Sequence, residues 1–275
     1  MKRIKHHITL ILSYCFIGVA VAISIFPFVW TAIVSIKPEW MIYTQPTSLK
    51  FTPTLQNYMD VFTYMPFVHY LLNSLIVAII SSLLAVAISF PTAYSISRFG
   101  TGGENFAFWI LSLRMLPPIV FGIPMYALLR NFGLIDTVLA LIVVYLTFNI
   151  PIAVWILRSF IDELPKDIEE AALLDGCSRI GLLLRIIIPL CAPAIFAVAL
   201  ICFSYSWNEF FFALILTYKD AKTVPVALMR FVAAYRIHWG QLAAGGMIFI
   251  IPPIALAIAL RKYLVRALAL GMVKG

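Results

Sequence analysis

The sequence predicts an all-α membrane protein with six transmembrane helices. Of its 275 residues, 63% are hydrophobic and only 12% are charged, and the mean hydropathy is +1.01. Soluble domains carry about 25% charged residues, so a soluble fold of this length could not bury so many apolar side chains. Lipid must therefore surround much of the chain. The net charge of +8 then indicates loop orientation and affinity for anionic head groups rather than nucleic-acid binding.

Six apolar runs approach the length of about 20 residues that a helix needs to cross a bilayer. The first, Ile8 to Ile36, is too long for the core of a signal peptide, which predicts an uncleaved span. The other predicted spans are residues 70–96, 105–129, 137–157, 191–217 and 241–260. We expect residues 37–69 to form an external loop, with a short helix near Gln56 to Phe62.

An even number of spans places both termini on one side of the membrane. More Lys and Arg residues fall on that side than on the other when the loops are compared. Basic loops stay in the cytoplasm, so the sequence predicts that both termini are cytoplasmic.

The segment Leu164 to Pro189 is the most charge-dense part of the chain. Pro165 suits a first helical position, acidic residues follow in the first turn, and Gly176 suits the end of the helix. Ser178 could cap a second helix. The apolar residues of that helix expected on one face are Ile180, Leu183, Leu184 and Ile187. This pair of helices is too polar for lipid, and we expect it to bind a soluble partner. The alternative is a solvated connector that has no partner.

The spacing of Glu170-Ala171-Ala172, Gly176, Ile186 and Pro189 resembles the EAA loop of ABC importer permeases. The family usually has Leu where Ile188 stands. In that family the loop docks into a cytoplasmic ATPase subunit and transmits its movement. The resemblance places these residues in the coupling loop: Glu169, Glu170, Ala171, Ala172, Asp175, Gly176, Ile186 and Pro189.

Several polar residues lie where lipid would exclude them, since a charge at the bilayer centre costs at least about 2.5 kcal/mol. Arg114 precedes Pro117-Pro118, which should kink or break the third span. The other candidates are Asn149, Trp207, Asn208 and Glu209. These side chains either line a solute pathway or bond neighbouring helices to each other, with Arg114 paired to Glu209.

Further motifs in chain order extend the resemblance to the carbohydrate-uptake branch of these permeases, in particular its smaller, six-span maltose-type subunit. They are residues 114–118 (RMLPP), 133–137 (GLIDT), 207–210 (WNEF), 239–240 (WG) and 271–275 (GMVKG). The resemblance implies the type I ABC importer permease fold, with a permease domain at residues 70–262. Residues 1–69 would hold the first helix and the external loop, and residues 263–275 a cytoplasmic tail. Lys274 and Gly275 would contact the ATPase there, although Met272 departs from the family pattern.

The resemblance also implies partners: a second related permease, two copies of an ABC ATPase, an extracytoplasmic binding protein, a sugar-like solute and membrane lipid. The chain has no GxxxxGK[ST] loop, so ATP and magnesium are expected on the ATPase subunits and no cofactor on this chain. No metal-ligand pattern is present, and we expect a transport subunit rather than an enzyme. The expected location is the cytoplasmic membrane of a bacterium or archaeon.

Two other function classes are alternatives to an importer subunit. A stand-alone secondary transporter or channel would often show broken helices at matching places in two halves, and the sequence shows one clear break. A membrane-embedded enzyme would need paired acids, metal ligands or a nucleophile, and only Glu209 and Arg114 are candidates. The solute stays open among oligosaccharides, monosaccharides, polyols and anionic sugars.

Overall fold

The computed structural model describes residues 2–103, 105–232 and 236–271, which form helices joined by loops. In chain order the helices are α1 (Lys2–Ser35), α2 (Glu39–Thr44), α3 (Gln56–Tyr64), α4 (Phe67–Phe99), α5 (Phe106–Ser112), α6 (Pro118–Asn131), α7 (Val138–Asp162), α8 (Lys166–Leu174), α9 (Arg179–Leu182), α10 (Ile188–Leu190), α11 (Ala192–Trp207), α12 (Phe211–Leu216), α13 (Val224–Leu228), α14 (Trp239–Phe249) and α15 (Ile251–Gly271). The all-α prediction is confirmed.

Four stretches of helix are long and apolar enough to cross a membrane: Leu12–Ser35, Phe67–Phe99, Val138–Asp162 and Trp239–Tyr263. Two further spans are bent pairs, Phe106–Met115 with Pro118–Asn131 and Arg179–Leu190 with Ala192–Trp207. Counting each bent pair as one span gives six among the described residues, although the second pair begins inside the predicted helix-pair loop and ends at Trp207. The chain divides into two compact units, Met1–Phe67 with Leu228–Ile251 and Val68–Ala227 with Pro252–Gly275.

In the first unit, α1 and α3 both pack against α14. The loop after α1 is fixed by Lys37, whose side chain is buried although it carries a charge. Its ammonium group donates three hydrogen bonds, which satisfies all its donors. The acceptors are the carbonyl oxygens of Gln45, Pro46 and Ser48, at 2.7, 2.9 and 2.8 Å. Asn57 of α3 adds two more bonds, to the carbonyl oxygens of Ser35 and Lys37.

Gly240 permits the close approach of α14 to α3. A Cβ atom at Gly240 would lie 2.5 Å from Oδ1 of the buried Asn57, whereas one at Gly246 of the same helix would meet nothing within 4 Å. We therefore expect Gly240→Ala to lower the free energy of unfolding by about 1–3 kcal/mol. The matched Gly246→Ala should raise it by up to about 1 kcal/mol. Thermal unfolding of both variants in detergent measures the difference, and equal melting temperatures would contradict the packing described.

The second unit is built around α7, which packs against α5, α11 and α12. Residues on several faces of α7 are fully buried, including Leu141, Tyr145 and Leu157. One apolar cluster joins α7 to α4, α8 and α11, and a second joins α7 to α6 and α12. A helix that is apolar on all sides is typical of the centre of a bundle.

The third span breaks where the sequence predicts it. Helix α5 and a 3₁₀ turn at Leu113–Met115 end at Leu116, which is extended with ψ of 132°. Helix α6 begins at Pro118, and its axis is bent by 89° from the preceding segment. Two consecutive prolines remove two backbone donors, and a residue before proline avoids the helical region, which accounts for the break.

The predicted fifth span, residues 191–217, is not one continuous helix. Helix α11 ends at Trp207, and α12 begins at Phe211. The side chain of Glu209 accepts hydrogen bonds from the backbone N–H groups of Phe212 and Ala213, at 2.8 and 3.1 Å. This carboxylate satisfies donors at the start of α12 that have no partner within the helix, so it stabilises a new helix start inside the apolar run.

A second carboxylate fixes a loop of the same unit. Asp136 has a positive φ of 61° and is mostly buried. It accepts hydrogen bonds of 3.0 to 3.2 Å from four consecutive backbone N–H groups, those of residues 218–221. Burial by itself would raise the pKa of this carboxyl, but the four N–H donors favour the anion and hold the pKa below its ordinary value.

The folded-state pKa of Asp136 is therefore lower than the unfolded value of about 3.9. Its contribution to stability is complete above the unfolded pKa and is lost as the pH falls through the folded pKa. We expect Asp136→Asn to lower the free energy of unfolding at pH 7 by roughly 1.5–3 kcal/mol and to flatten its dependence on pH below about 4. Unfolding titrations from pH 3 to 7 test this, with the exposed Asp167→Asn as the control expected to follow the wild type.

Candidate coupling loop and translocation cavity

The predicted helix pair between the fourth and fifth spans is present. Helix α8 ends before Gly176, whose φ of +82° is a conformation that glycine adopts without strain. The hydroxyl of Ser178 accepts a hydrogen bond of 3.1 Å from the N–H of Gly181, which confirms the predicted cap of α9. Pro165 precedes α8 as its N-cap, one position earlier than predicted.

One face of the helix pair is exposed and the other packs on the bundle. On the exposed face lie Glu170, Ala171, Asp175 and two large apolar side chains, Leu174 and Ile180, which are 87% and 72% exposed. Ala172 and Leu182 lie on the opposite face and join the core cluster of α4, α7 and α11. Exposed apolar side chains bordered by charges are typical of a surface that binds another protein.

Glu169 lies on the buried face, unlike its neighbour Glu170. Its Oε1 atom is 2.6 Å from Nε of Arg98, and its Oε2 accepts a hydrogen bond of 2.7 Å from the hydroxyl of Tyr94. Arg98 and Tyr94 both belong to α4, and they lie 71 and 75 residues before Glu169, so no local pattern connects them to this loop. In the sequence, Arg98 is only one of the basic residues on the predicted cytoplasmic side.

The apolar face predicted for the second helix is wrong. Leu183–Ile187 form a π-helical turn between α9 and α10, which shifts the register of the side chains. Ile187 is buried and Leu183 is partly buried, whereas Ile180 and Leu184 are exposed. Ile186 and Pro189, assigned to the coupling loop by resemblance, fall in and just after this turn.

A cavity of about 640 Å³ lies in the second unit beside the break in the third span. Arg114 and Glu209 line it together with these residues: Leu113, Leu116, Pro118, Phe121, Met125, Thr147, Phe148, Tyr205 and Phe212. Arg114 donates a hydrogen bond of 2.7 Å to the carbonyl of Phe148, and its guanidinium lies 4.0 Å from the centre of the Tyr205 ring. A cavity lined mainly by apolar and aromatic side chains, with a few polar groups, is typical of a small-molecule site.

Arg114 and Glu209 share the cavity without pairing with each other within the part of the chain that the structure describes. Glu209 instead accepts a hydrogen bond of 2.8 Å from the hydroxyl of Tyr145 in addition to its two backbone donors. The ion pair expected between these two residues is therefore not formed, but each of them is hydrogen-bonded to α7.

The other three pathway candidates lie outside the lining of this cavity. Asn149 is fully buried, and its amide donates to the hydroxyl of Ser206 at 2.8 Å. Trp207 is also buried, and it stacks on Phe203. Asn208 is exposed and donates to the carbonyl of Ser204 at 2.8 Å. Lys274 and Gly275, the predicted tail contact, lie outside the described residues.

Residues 85–270, well over half of the chain, match the family model described as the inner membrane component of binding-protein-dependent transport systems. The chain belongs to this family. It is an ABC transporter permease, a transport subunit held in the membrane by apolar helices, and it works with an ATPase and a solute-binding protein.

Named relatives of the permease cover nearly its whole length. It is 37% identical to the trehalose/maltose transport system permease protein of Thermococcus litoralis, over 92% of each chain. It is 32% identical to the trehalose transport system permease protein of Mycobacterium tuberculosis, over 93% of this chain and 94% of the relative. It is 31% identical to the sulfoquinovosyl glycerol transport system permease protein of Agrobacterium fabrum, over 92% and 90%.

A solved structure shares the fold. It belongs to a bacterial ABC transporter involved in the import of the acidic polysaccharide alginate, and it superposes with a TM-score of 0.74 at 21% identity, covering 94% of this chain and 97% of that one. The predicted ABC importer permease fold is confirmed.

Proposed function

We propose that this permease forms half of the pathway of an ATP-driven importer for a carbohydrate or a sugar-like solute. A second, related permease would form the other half, and two copies of a cytoplasmic ATPase would carry the ATP and magnesium. The transport systems named for the relatives above, which handle trehalose, maltose and sulfoquinovosyl glycerol, support a sugar-like solute.

The observation that carries this proposal is the exposed face of α8 and α9. Glu170, Asp175, Leu174 and Ile180 stand clear of the bundle, while the buried face holds the helix pair on α4, α7 and α11. The proposal assigns this exposed face to contact with the ATPase and places it, with both chain termini, in the cytoplasm.

Uptake measurements test the importer as a whole. Cells expressing the assembled transporter receive radiolabelled trehalose, maltose, sulfoquinovosyl glycerol or alginate oligosaccharide, with and without an ATPase subunit that cannot hydrolyse ATP. We expect uptake of at least one probe to require active ATPase. Flux through proteoliposomes that contain this chain alone would instead support a stand-alone transporter or channel and would contradict the proposal.

The same proposal assigns the cavity beside Arg114 to the solute pathway. Removing the guanidinium in Arg114→Gln should lower the uptake rate by about tenfold, since the loss of one charge-assisted hydrogen bond costs about 1.5 kcal/mol. ATPase subunits should still co-purify in normal amounts because the contacts of Arg114 are with Phe148 and Tyr205 beside the cavity, and both lie outside the coupling loop. The exposed Arg130→Gln, outside the cavity lining, is the matched control. An equal loss of uptake in both variants would count against a pathway role for Arg114.

A further inference from the structure

The buried contact between α4 and α8 includes an ion pair and a hydrogen bond in addition to apolar packing. The side chains of Arg98 and Glu169 are only 7% and 10% exposed, and their charged atoms are 2.6 Å apart. Tyr94 binds the second oxygen of Glu169 at 2.7 Å, so both carboxylate oxygens have donors from α4. Opening such a pair would leave two charges without partners in a site sheltered from water, so the pair resists separation.

The last turn of α4 also holds the residues that lead into α8. Nη2 of Arg98 donates a hydrogen bond of 3.0 Å to the carbonyl of Leu164, directly before the helix. The hydroxyl of Ser97 donates to the carboxylate of Asp162, the last residue of α7. Arg98 therefore binds both the segment that leads into α8 and the first turn of the helix, which fixes the start of that helix relative to α4.

The chain segment that connects α8 to α11 contains three irregular features. It passes through Gly176, then through the π-helical turn at Leu183–Ile187, and then through a bend of 75° before α11. Glycine at positive φ and a π-helical turn are places where a chain changes direction at small cost. Helix α8 thus has an ion pair and hydrogen bonds to α4, which is distant in the sequence, whereas its contact with α11 is apolar packing and an irregular chain connection.

Helix α4 leads from this contact toward the buried polar network near the cavity. Ser89 donates to the carbonyl of Ile150 in α7, and the hydroxyl of Ser81 lies 2.9 Å from that of Ser206 in α11. Ser206 accepts the amide of Asn149 and lies three residues before Glu209, which lines the cavity. A shift of α4 along its axis would therefore act directly on the residues beside the cavity.

From these contacts we propose that Arg98, Tyr94 and Glu169 form a rigid link through which movement of α8 is passed to α4. The link makes Arg98 and Tyr94 positioning residues of the transport cycle, with no contact to ATP or solute. This inference rests on the proposed function, since it assumes that the ATPase moves α8.

Distances between spin labels in the assembled transporter test the link. One label is placed at Leu174 of α8, and the second is placed either at Ile88 of α4 or at Ala199 of α11, after the four native cysteines are replaced by alanine. Addition of Mg-ATP should change the distance from 174 to 88 by no more than about 2 Å and the distance from 174 to 199 by more. A change in the first distance as large as in the second would overturn the inference.

Two substitutions separate the link from a structural role. Glu169→Gln removes the charge that Arg98 binds, and we expect the distance from 174 to 88 to become broad and dependent on nucleotide, with ATPase subunits still bound. Asp167→Asn also removes a carboxylate charge from α8, at an exposed position outside the residues assigned to the ATPase contact, and should leave that distance narrow. If Glu169→Gln lowers only the melting temperature and leaves the response to Mg-ATP unchanged, Glu169 is structural and the link is wrong.

The same experiment separates failure of the inference from failure of the proposed function. If Mg-ATP changes neither distance while uptake still requires active ATPase, α8 does not move relative to α11 and only the link is wrong. If uptake does not require active ATPase, the proposed function is wrong. If both distances change together, the coupling role stands and only the link to α4 is rejected.

Discussion

Gly176→Asp should strongly weaken binding of the ATPase while the permease still inserts into the membrane. Gly176 has a φ of +82°, where a side chain adds strain of about 1–2 kcal/mol, and it lies between the two exposed helices proposed to contact the ATPase. A new carboxylate there would also alter a surface that already carries Glu170 and Asp175. Central contacts of an interface contribute about 2 kcal/mol or more, so we expect ATPase affinity to fall about thirtyfold.

Gly103→Asp is the matched control for this substitution. Its φ is +83°, and a Cβ atom there would meet nothing within 4 Å, as at Gly176. Both variants carry the same backbone strain and the same added charge, but Gly103 lies outside the helix pair. We expect ATPase binding, measured by titration in detergent, to be near normal for Gly103→Asp. Equal loss in the two variants would show that strain, and not the docking surface, explains the effect of Gly176→Asp.

Glu209→Ala should produce the largest loss of stability of any single substitution considered. The carboxylate accepts hydrogen bonds from the N–H groups of Phe212 and Ala213 and from the hydroxyl of Tyr145. Removing it leaves three donors without this partner in a largely buried place, and each such donor costs about 1–3 kcal/mol. We expect the free energy of unfolding to fall by about 3 kcal/mol or more.

The neighbouring Asn208→Ala provides the control for Glu209. Asn208 is exposed and makes one hydrogen bond to the carbonyl of Ser204, so its loss should change stability by less than about 1 kcal/mol. Unfolding of purified protein in detergent, followed by circular dichroism, compares the two. A melting temperature for Glu209→Ala near that of Asn208→Ala would mean that the start of α12 does not depend on this carboxylate.

The sequence predicts the parts of the fold that depend on local chemistry. The break at Pro117-Pro118 follows from two missing backbone donors, and the cap at Ser178 follows from its hydroxyl placed before a short helix. The turn at Gly176 follows in the same way from its tolerance of positive φ. Each of these signals acts within a few residues, so a single sequence is enough to read it.

Contacts between distant segments could not be read in this way. In the sequence, Arg98 contributes only to the number of basic residues that predicts the orientation in the membrane. In the structure it binds Glu169, which is 71 residues further along the chain. Asp136 stood in a recognised motif, but its role depends on four N–H groups more than 80 residues away. The π-helical turn at Leu183–Ile187 shifts the helical register without any glycine or proline inside it to signal the change.

The pathway candidates show the same limit. Apolar surroundings singled out Arg114 and Glu209, and both line one cavity. The same criterion also selected Asn149 and Trp207, which are buried among neighbouring helices outside that lining. Hydropathy detects a polar residue in a span but does not tell which side of the helix faces open space.

A photo-crosslinking amino acid at Leu174, which is 87% exposed on α8, tests most directly whether a separate ATPase acts on this helix pair. The same group at Tyr218, 67% exposed on the loop fixed by Asp136 and predicted to be external, provides the comparison. In the assembled transporter, we expect a crosslink to the ATPase subunit from position 174 and none from position 218. A crosslink to the ATPase from 218, or none from 174 in transporter that retains its ATPase, would contradict the proposed docking of the ATPase on α8 and α9.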